Sequence, residues 1–192
     1  MHSGAALSST ITQLLQAHGA GDRDAVNRLV PLLYQDLRRI ARIQLRRRAG
    51  QDSLDTGGLV HEAYLRLVDQ SRAEWRDRGH FLAVASIAMR QIAVDHVRRR
   101  LRVKRGGAEA AVPLDSGHAS RDDWERILAV DLALQKLDAA DPRLARVVEC
   151  RYFAGLSEDE TAEALGVSLR TAQREWYKAR AWLRAELGGS RS

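Results

Sequence analysis

A single cysteine, Cys150, stands in the 192 residues, so no disulfide closes within the chain, as expected in a reducing compartment. It falls in an apolar helical run, which suits a small core residue better than a reactive thiol. Prolines number three and aromatic residues make up 5%. Ala, Leu and Arg dominate instead, a composition that favours helices. No apolar run reaches membrane-spanning length and no signal-peptide pattern opens the chain, so a soluble, cytoplasmic protein without a membrane partner is expected. No Walker loop, nucleophile elbow or dinucleotide fingerprint appears, which disfavours an enzyme. The six histidines are scattered. "HEAYL" at 61–65 carries Leu65 where a zinc-protease helix needs its second histidine, so neither metal nor cofactor is expected.

Apolar residues make up 45% of the chain, net charge is +6 and the pI is about 10.1. The length allows one ordinary domain or two small ones. "SSTITQLLQAHGAGDRDAVNRLVPLLYQDLRRIARIQLRRRAG" has helical periodicity, broken at Gly19–Gly21 and bent or restarted at Pro31. Leu32, Leu33, Leu37, Ile40, Ala41 and Leu45 then form a stripe. "LDTGGLVHEAYLRLVD" (54–69) is the next helix, with Leu59, Ala63, Leu65 and Leu67 as its packing positions. It begins oddly, because Gly57 and Gly58 fill a first turn where acids suit the helix dipole. Asp55 or Thr56 is placed to cap it. "FLAVASIAMRQIAVDHVRRRLRVKR" grades from apolar to basic and completes a helical bundle over 7–105. Residues 106–123, "GGAEAAVPLDSGHASRDD", read as a flexible linker. A second all-helical unit follows over 124–187. The fold class is all-α: two small helical domains joined by a linker.

Within the second unit, Asp141-Pro142 opens a helix that ends at Gly155, and Ser157 with Glu160 forms a capping box. Gly166 closes that helix, and Ser168 caps the long basic one behind it. A short helix, a turn at 166–168 and a basic helix make a helix-turn-helix. Ala162, Leu165, Val167, Ala172 and Trp176 fall on its packing side. Ser168, Arg170, Thr171, Gln173, Arg174, Tyr177 and Lys178 fall at or near its outward face, and these side-chain types read base edges or hold phosphates in a major groove. Arg98, Arg99, Arg100, Arg102, Lys104 and Arg105 form a second cationic cluster around a helix end.

Taken together, these motifs resemble the extracytoplasmic function (ECF) sigma factors of bacterial RNA polymerase. The family's "DAEDLVQEVFLRLW"-like helix corresponds to "DTGGLVHEAYLRLV" at 55–68, its "RG-x-F" loop to "RGHF" at 78–81, and its "DHLRRR" helix end to "MRQIAVDHVRRR" at 89–100. "RYFAGLSEDETAEALGVSLRTAQREWYKARAWLRAEL" is similar to the family's carboxyl-terminal helix-turn-helix. The resemblance implies sigma domain two at 7–105 and sigma domain four at 124–187. It implies a core-polymerase contact through Asp55, Thr56, Leu59, His61, Glu62 and Arg66 against the coiled coil of the largest subunit. It places Trp75, His80, Phe81, Arg90, Gln91, Asp95, Arg98 and Arg99 at the minus-ten element. Domain four would dock on the polymerase flap and read the minus-thirty-five element with the outward residues of the second helix. The partners implied are core RNA polymerase and promoter DNA.

Against the family's "DAED", Asp55-Thr56-Gly57-Gly58 is missing the third and fourth acids. One reading is that phosphate on Thr56, added by a Ser/Thr protein kinase, supplies about −1.5 to −2 charges in their place, with release from an anti-sigma factor less favoured as the switch. The other is a plain turn and N-cap, with Asp55 and Glu62 sufficient for contact. In the recognition helix, Arg170, Gln173, Arg174 and Glu175 depart from residues common in the family, so the promoter sequence cannot be carried over. The rival function class is a conventional helix-turn-helix regulator that binds an operator without polymerase.

Overall fold

The computed structural model describes residues 3–22, 24–46, 54–69, 76–105 and 121–189. Among the described residues the regular structure is helical throughout. In chain order the helices are α1 (Ser3–Gly19), α2 (Asp24–Arg46), α3 (Thr56–Asp69), α4 (Arg78–Arg105), α5 (Arg121–Ala140), α6 (Pro142–Val148), α7 (Glu158–Leu165) and α8 (Leu169–Gly188). A π-helical turn, Glu149–Phe153, extends α6. Most of the expected linker, together with Trp75, lies outside the described residues, and 121–123 already belong to α5.

The local signals behave as their chemistry demands. Asp141 accepts the Arg143 and Leu144 N–H groups at the start of α6. Ser157 and Glu160 form both halves of a capping box, and Gly166 closes α7 in the left-handed conformation. Pro31 does not break α2, which runs through it with the ring on the exposed side. Proline there removes one helical hydrogen bond, and burial of Leu29, Leu33, Leu37, Ile40 and Ala41 on the opposite face outweighs that loss. Two stripe assignments differ from the observed burial. Leu32 is exposed and Leu29 takes its place, while Leu65 on α3 is 50% exposed and Val60 is buried instead.

The two halves also pack against each other. The core formed by α1 to α4 also contains Cys150, Ala154, Leu156 and Ala164 from the second half. The π turn explains how one short segment serves two cores. Val148 and Phe153 point into the core shared with α5 and α8, while Cys150 and Ala154 between and after them face α2 and α4. The Ala154 N–H reaches the Glu149 carbonyl at 2.9 Å, a wider turn than an α-helix makes. Gly155 follows at φ +67°, where a Cβ would stand 2.7 Å from Ile43 Cδ1 of α2. Only glycine meets both the backbone and the space. The other end of the contact is equally tight, since a Cβ on Gly79 would lie 3.0 Å from Ala164 Cβ. Val97 and Trp124 add a small third cluster between α4 and α5.

Candidate nucleic-acid interface

The helix-turn-helix is built by α7 and α8. Ser168 caps α8 by accepting the Thr171 N–H, and the two hydroxyls lie 2.8 Å apart. Ala172 and Ala179 are buried, which lets α8 pack closely. Trp176 is half-buried against the second core, with the Arg151 and Arg180 guanidinium groups over its ring at 5.7 and 5.6 Å. The outward residues divide in two. Arg170, Arg174, Tyr177 and Lys178 are exposed, Tyr177 by 70%. Gln173 instead donates to Glu158 Oε2 at 2.6 Å, and Thr171 is engaged with Ser168. Glu175 departs from the family pattern for a structural reason, being buried and paired with Arg143 Nε at 2.8 Å. Two arginines, a lysine and a tyrosine on one helix face can hold phosphates and reach guanine edges.

The entry to α3 explains the paired glycines. Asp55 is the cap: its Oδ1 accepts the Gly58 N–H at 2.7 Å, and its carbonyl accepts the Leu59 N–H. A Cβ on Gly58 would lie 3.0 Å from that same Oδ1, and one on Gly57 3.7 Å from Oδ2. The carboxylate folds over the first turn, and glycine leaves it room. Thr56 is the first residue of α3 and half-buried, and Asp55 and His61 are exposed. Glu62 is half-buried. Leu59, expected at the polymerase contact, is fully buried and anchors α3 to the core. Tyr64 fixes the same helix to α2 by donating to Asn27 Oδ1 at 2.6 Å.

The residues expected at the minus-ten element are scattered in their environments. Phe81 is 1% exposed and belongs to the core, because α4 starts earlier than its apolar run and turns that ring inward. His80 is half-buried: its ring Nδ1 accepts the Arg76 N–H at 3.3 Å and its own N–H donates to Asp77. Burial, assisted by the neighbouring Arg76 charge, holds its imidazole below the ordinary histidine value. Gln91 and Arg99 are exposed. Asp95 accepts from Arg66 at 3.2 Å, so one residue expected to touch polymerase pairs with one expected to touch DNA.

Arg90 and Arg98 are held by the other half of the chain. Arg90 Nε donates to Glu149 Oε1 at 2.8 Å, its Nη1 pairs with Asp131, and its guanidinium lies over the Phe153 ring. Arg98 donates to Asp131 Oδ2 at 3.0 Å, an oxygen that also accepts from Gln135. Asp131 and Glu149 are buried. Burial pushes the Glu149 carboxyl above its ordinary value, with Arg90 pulling against it. Around this cluster runs a cavity of about 560 Å³, lined by Arg66, Gln91, Asp95, Arg146 and the paired groups. Further polar links cross between the halves. Arg39 donates to the Gly155 carbonyl, Arg76 to the Ala164 carbonyl, and Arg78 to Glu160 while also donating to Asp36 within its own half. Asp36, Asp131 and Glu149 were not singled out by the sequence motifs. Their one signal is position: Asp131 and Glu149 sit inside otherwise apolar helical stretches.

Cys150 is buried as its apolar setting predicts, and burial pushes its thiol up to about 12. Among the described residues no group of His, Cys, Asp and Glu side chains is placed to hold a metal, and no helix is long and apolar enough to cross a membrane.

The family model for "ECF sigma factor" matches residues 8–189. The ECF RNA polymerase sigma factor SigM of Mycobacterium tuberculosis, in strains H37Rv and Erdman, is 30% identical over 181 residues, which span 92% of this chain and 84% of the relative. A solved chain, CnrH in complex with the cytosolic domain of CnrY, aligns over 95% of this chain and 99% of its own at 20% identity and a TM-score of 0.41.

Proposed function

From its membership of the ECF sigma factor family, to which the chain belongs, we propose how its own residues direct promoter recognition by core RNA polymerase. The single observation that carries this reading is the helix-turn-helix, whose capped α7 and α8 present Arg170, Arg174, Tyr177 and Lys178 on one exposed face. That face enters the major groove at the minus-thirty-five element, Arg170 and Arg174 reaching base edges while Lys178 and Tyr177 hold phosphates. Gln173 and Thr171 join them once Glu158 and Ser168 release their side chains. On α4, Gln91, Asp95, Arg98 and Arg99 meet the minus-ten strand, whose capture out of the stack costs a few kcal/mol per base. Asp55, His61, Glu62 and Arg66 face the polymerase coiled coil, with Leu59 supporting them from beneath. The protein acts as an initiation subunit in the cytoplasm, and the polymerase supplies the chemistry.

Activation is by phosphate on Thr56. Close charge pairs across an interface couple by about 1.5 kcal/mol or more, and two family acids are absent from the start of α3. A phosphothreonine carries about −1.5 to −2 charges at pH 7 and stands at a helix N-terminus, where backbone N–H groups favour anions. Asp55 already occupies the Gly58 N–H, so the phosphate adds to that carboxylate and does not replace it. A Ser/Thr protein kinase is then the switch, in preference to an anti-sigma factor.

Pull-down of core polymerase by phosphorylated and unphosphorylated chain, with Thr56→Ala and Thr56→Asp, tests both levels. Binding of core polymerase by the phosphorylated chain, with at least tenfold loss in the Ala variant, is expected. Equal capture by the Ala variant removes the switch. Operator binding as a dimer without any polymerase capture removes the sigma reading and restores the conventional regulator.

A further inference from the structure

Glu175 puts a buried acid in the middle of a basic helix. On the surface of α8 its neighbours are the residues three and four positions away. Ala172 and Ala179 are buried, while Thr171 is half-buried and Lys178 is exposed. Glu175 therefore marks the edge where the packed side of α8 gives way to the outward one. The other edge is held by α7, through Glu158 and Gln173. The Glu175 edge belongs to α6, which shares a core with α8 through Ala145, Val148 and Ala179. From α6, Arg143 reaches across and sets its Nε 2.8 Å from Glu175 Oε1.

The link is single. Glu175 Oε2 is buried and has no hydrogen-bond partner among the described residues. The guanidinium thus does not lie on the carboxylate in the two-pronged manner that occupies its outer nitrogens. The Arg143 side chain is 55% exposed, against 9% for that of Glu175. Its two Nη nitrogens remain open to solvent on the flank that carries Lys178. The nearest acid in sequence, Asp141, faces the Arg143 and Leu144 backbone N–H groups as the cap of α6.

We propose that Arg143 is a phosphate-binding residue of the helix-turn-helix, and that Glu175 is the residue that positions it. This rests on the reading of α8 as the minus-thirty-five reader. A planar guanidinium fork matches two oxygens of one phosphate. An arginine already held at Nε has less freedom to lose on binding than a free side chain. A lone glutamate at this flank would repel a duplex, whereas the pair is neutral and turns donors outward. Phosphate contacts fix register and orientation without reading sequence. Arg143 therefore adds affinity and leaves the choice of base to Arg170 and Arg174.

Neutral-phosphate scanning with holoenzyme tests this. Core RNA polymerase with the Thr56-phosphorylated chain is bound to a promoter fragment on which it starts transcripts. Single phosphates of the minus-thirty-five duplex are replaced in turn by methylphosphonates. At one position, or two adjacent ones, the wild type should lose about fivefold in affinity. That is less than the roughly tenfold of an isolated charge pair, because Glu175 offsets part of the arginine charge. Arg143→Gln combined with Glu175→Gln leaves no buried charge unpaired. It should bind the native duplex more weakly by the same factor and be indifferent to the neutralised position. Glu175→Gln alone keeps an acceptor for Nε and should retain the wild-type pattern, while Glu175→Ala should blunt it. An unaltered pattern in the double variant overturns the proposal, and an unaltered pattern in Glu175→Ala removes the positioning role of Glu175. Arg174→Ala on the same fragments isolates the reading beneath, since it should relax base preference at one pair of the element. If base preference survives Arg174→Ala and the wild type tolerates every neutral phosphate, α8 does not face this DNA and both readings fall.

Discussion

Replacing Gly58 by alanine should have opposite consequences depending on whether Asp55 is present. In an exposed helix alanine is favoured over glycine by about 1 kcal/mol. At Gly58 that gain meets a cost, because the new Cβ would stand 3.0 Å from the Asp55 oxygen that caps the helix. The carboxylate must retreat by a few tenths of an ångström, and its 2.7 Å bond to the residue-58 N–H lengthens. An aspartate cap contributes about 1 kcal/mol, so the two effects cancel and Gly58→Ala alone should leave stability within about 0.5 kcal/mol of wild type. Asp55→Ala alone should cost about 1 kcal/mol. In that background nothing opposes the methyl group, and Gly58→Ala should then stabilise by up to about 1 kcal/mol. The coupling between the two positions is therefore about 1 kcal/mol, well above the usual non-additivity of independent sites. Urea unfolding followed by far-UV circular dichroism reads it as a midpoint shift of about 0.5 M at constant slope. The same gain from Gly58→Ala in both backgrounds would refute the idea that the glycines exist to admit the Asp55 carboxylate.

Leu156→Ala, at 1% exposure in the core common to both halves, should cost about 2–5 kcal/mol and lower the thermal midpoint of α2 and α4 amides together with those of α7 by hydrogen exchange. For Glu160, burial works against ionisation, but the Ser157 N–H and hydroxyl and the Arg78 guanidinium hold its carboxyl below the ordinary value. A depressed folded value means that this contribution is present above the ordinary glutamate range and is lost as pH falls through the folded value. Carboxyl NMR titration should show the low midpoint, and Ser157→Ala should move it upward. Glu175→Ala should lower the melting temperature by removing the Arg143 partner without changing promoter preference. Arg174→Ala should lower promoter output by a factor corresponding to about 1–3 kcal/mol with little change in melting temperature.

The helical class and the second unit's punctuation were legible because capping chemistry is local. Asp141, Ser157, Gly166 and Ser168 each act on N–H or carbonyl groups within a few residues, so sequence spacing is enough to place them. Leu32 and Leu65 were misplaced because periodicity gives the width of an apolar stripe but not the rotation of the helix beneath it. The buried positions of Leu59 and Phe81 have the same origin: a motif names a residue, while the helix start decides which way it points. Closure of the two halves was not legible. It depends on a π turn that rotates Cys150 and Ala154 away from Val148, on space at Gly79 and Gly155, and on pairings as distant as Arg78 with Glu160. Asp131 and Glu149 offered a hint, since an acid inside an apolar helical run needs a buried cation, but many arginines were available to serve.

Run-off transcription with purified core RNA polymerase across a set of genomic promoter fragments tests the central claim most directly. The chain phosphorylated at Thr56 should start discrete transcripts from a subset of fragments sharing two elements, and core enzyme without it should start none of them. Absence of any such transcript, from the phosphorylated chain and from Thr56→Asp alike, together with unaided tight binding to a palindromic duplex, would contradict the account.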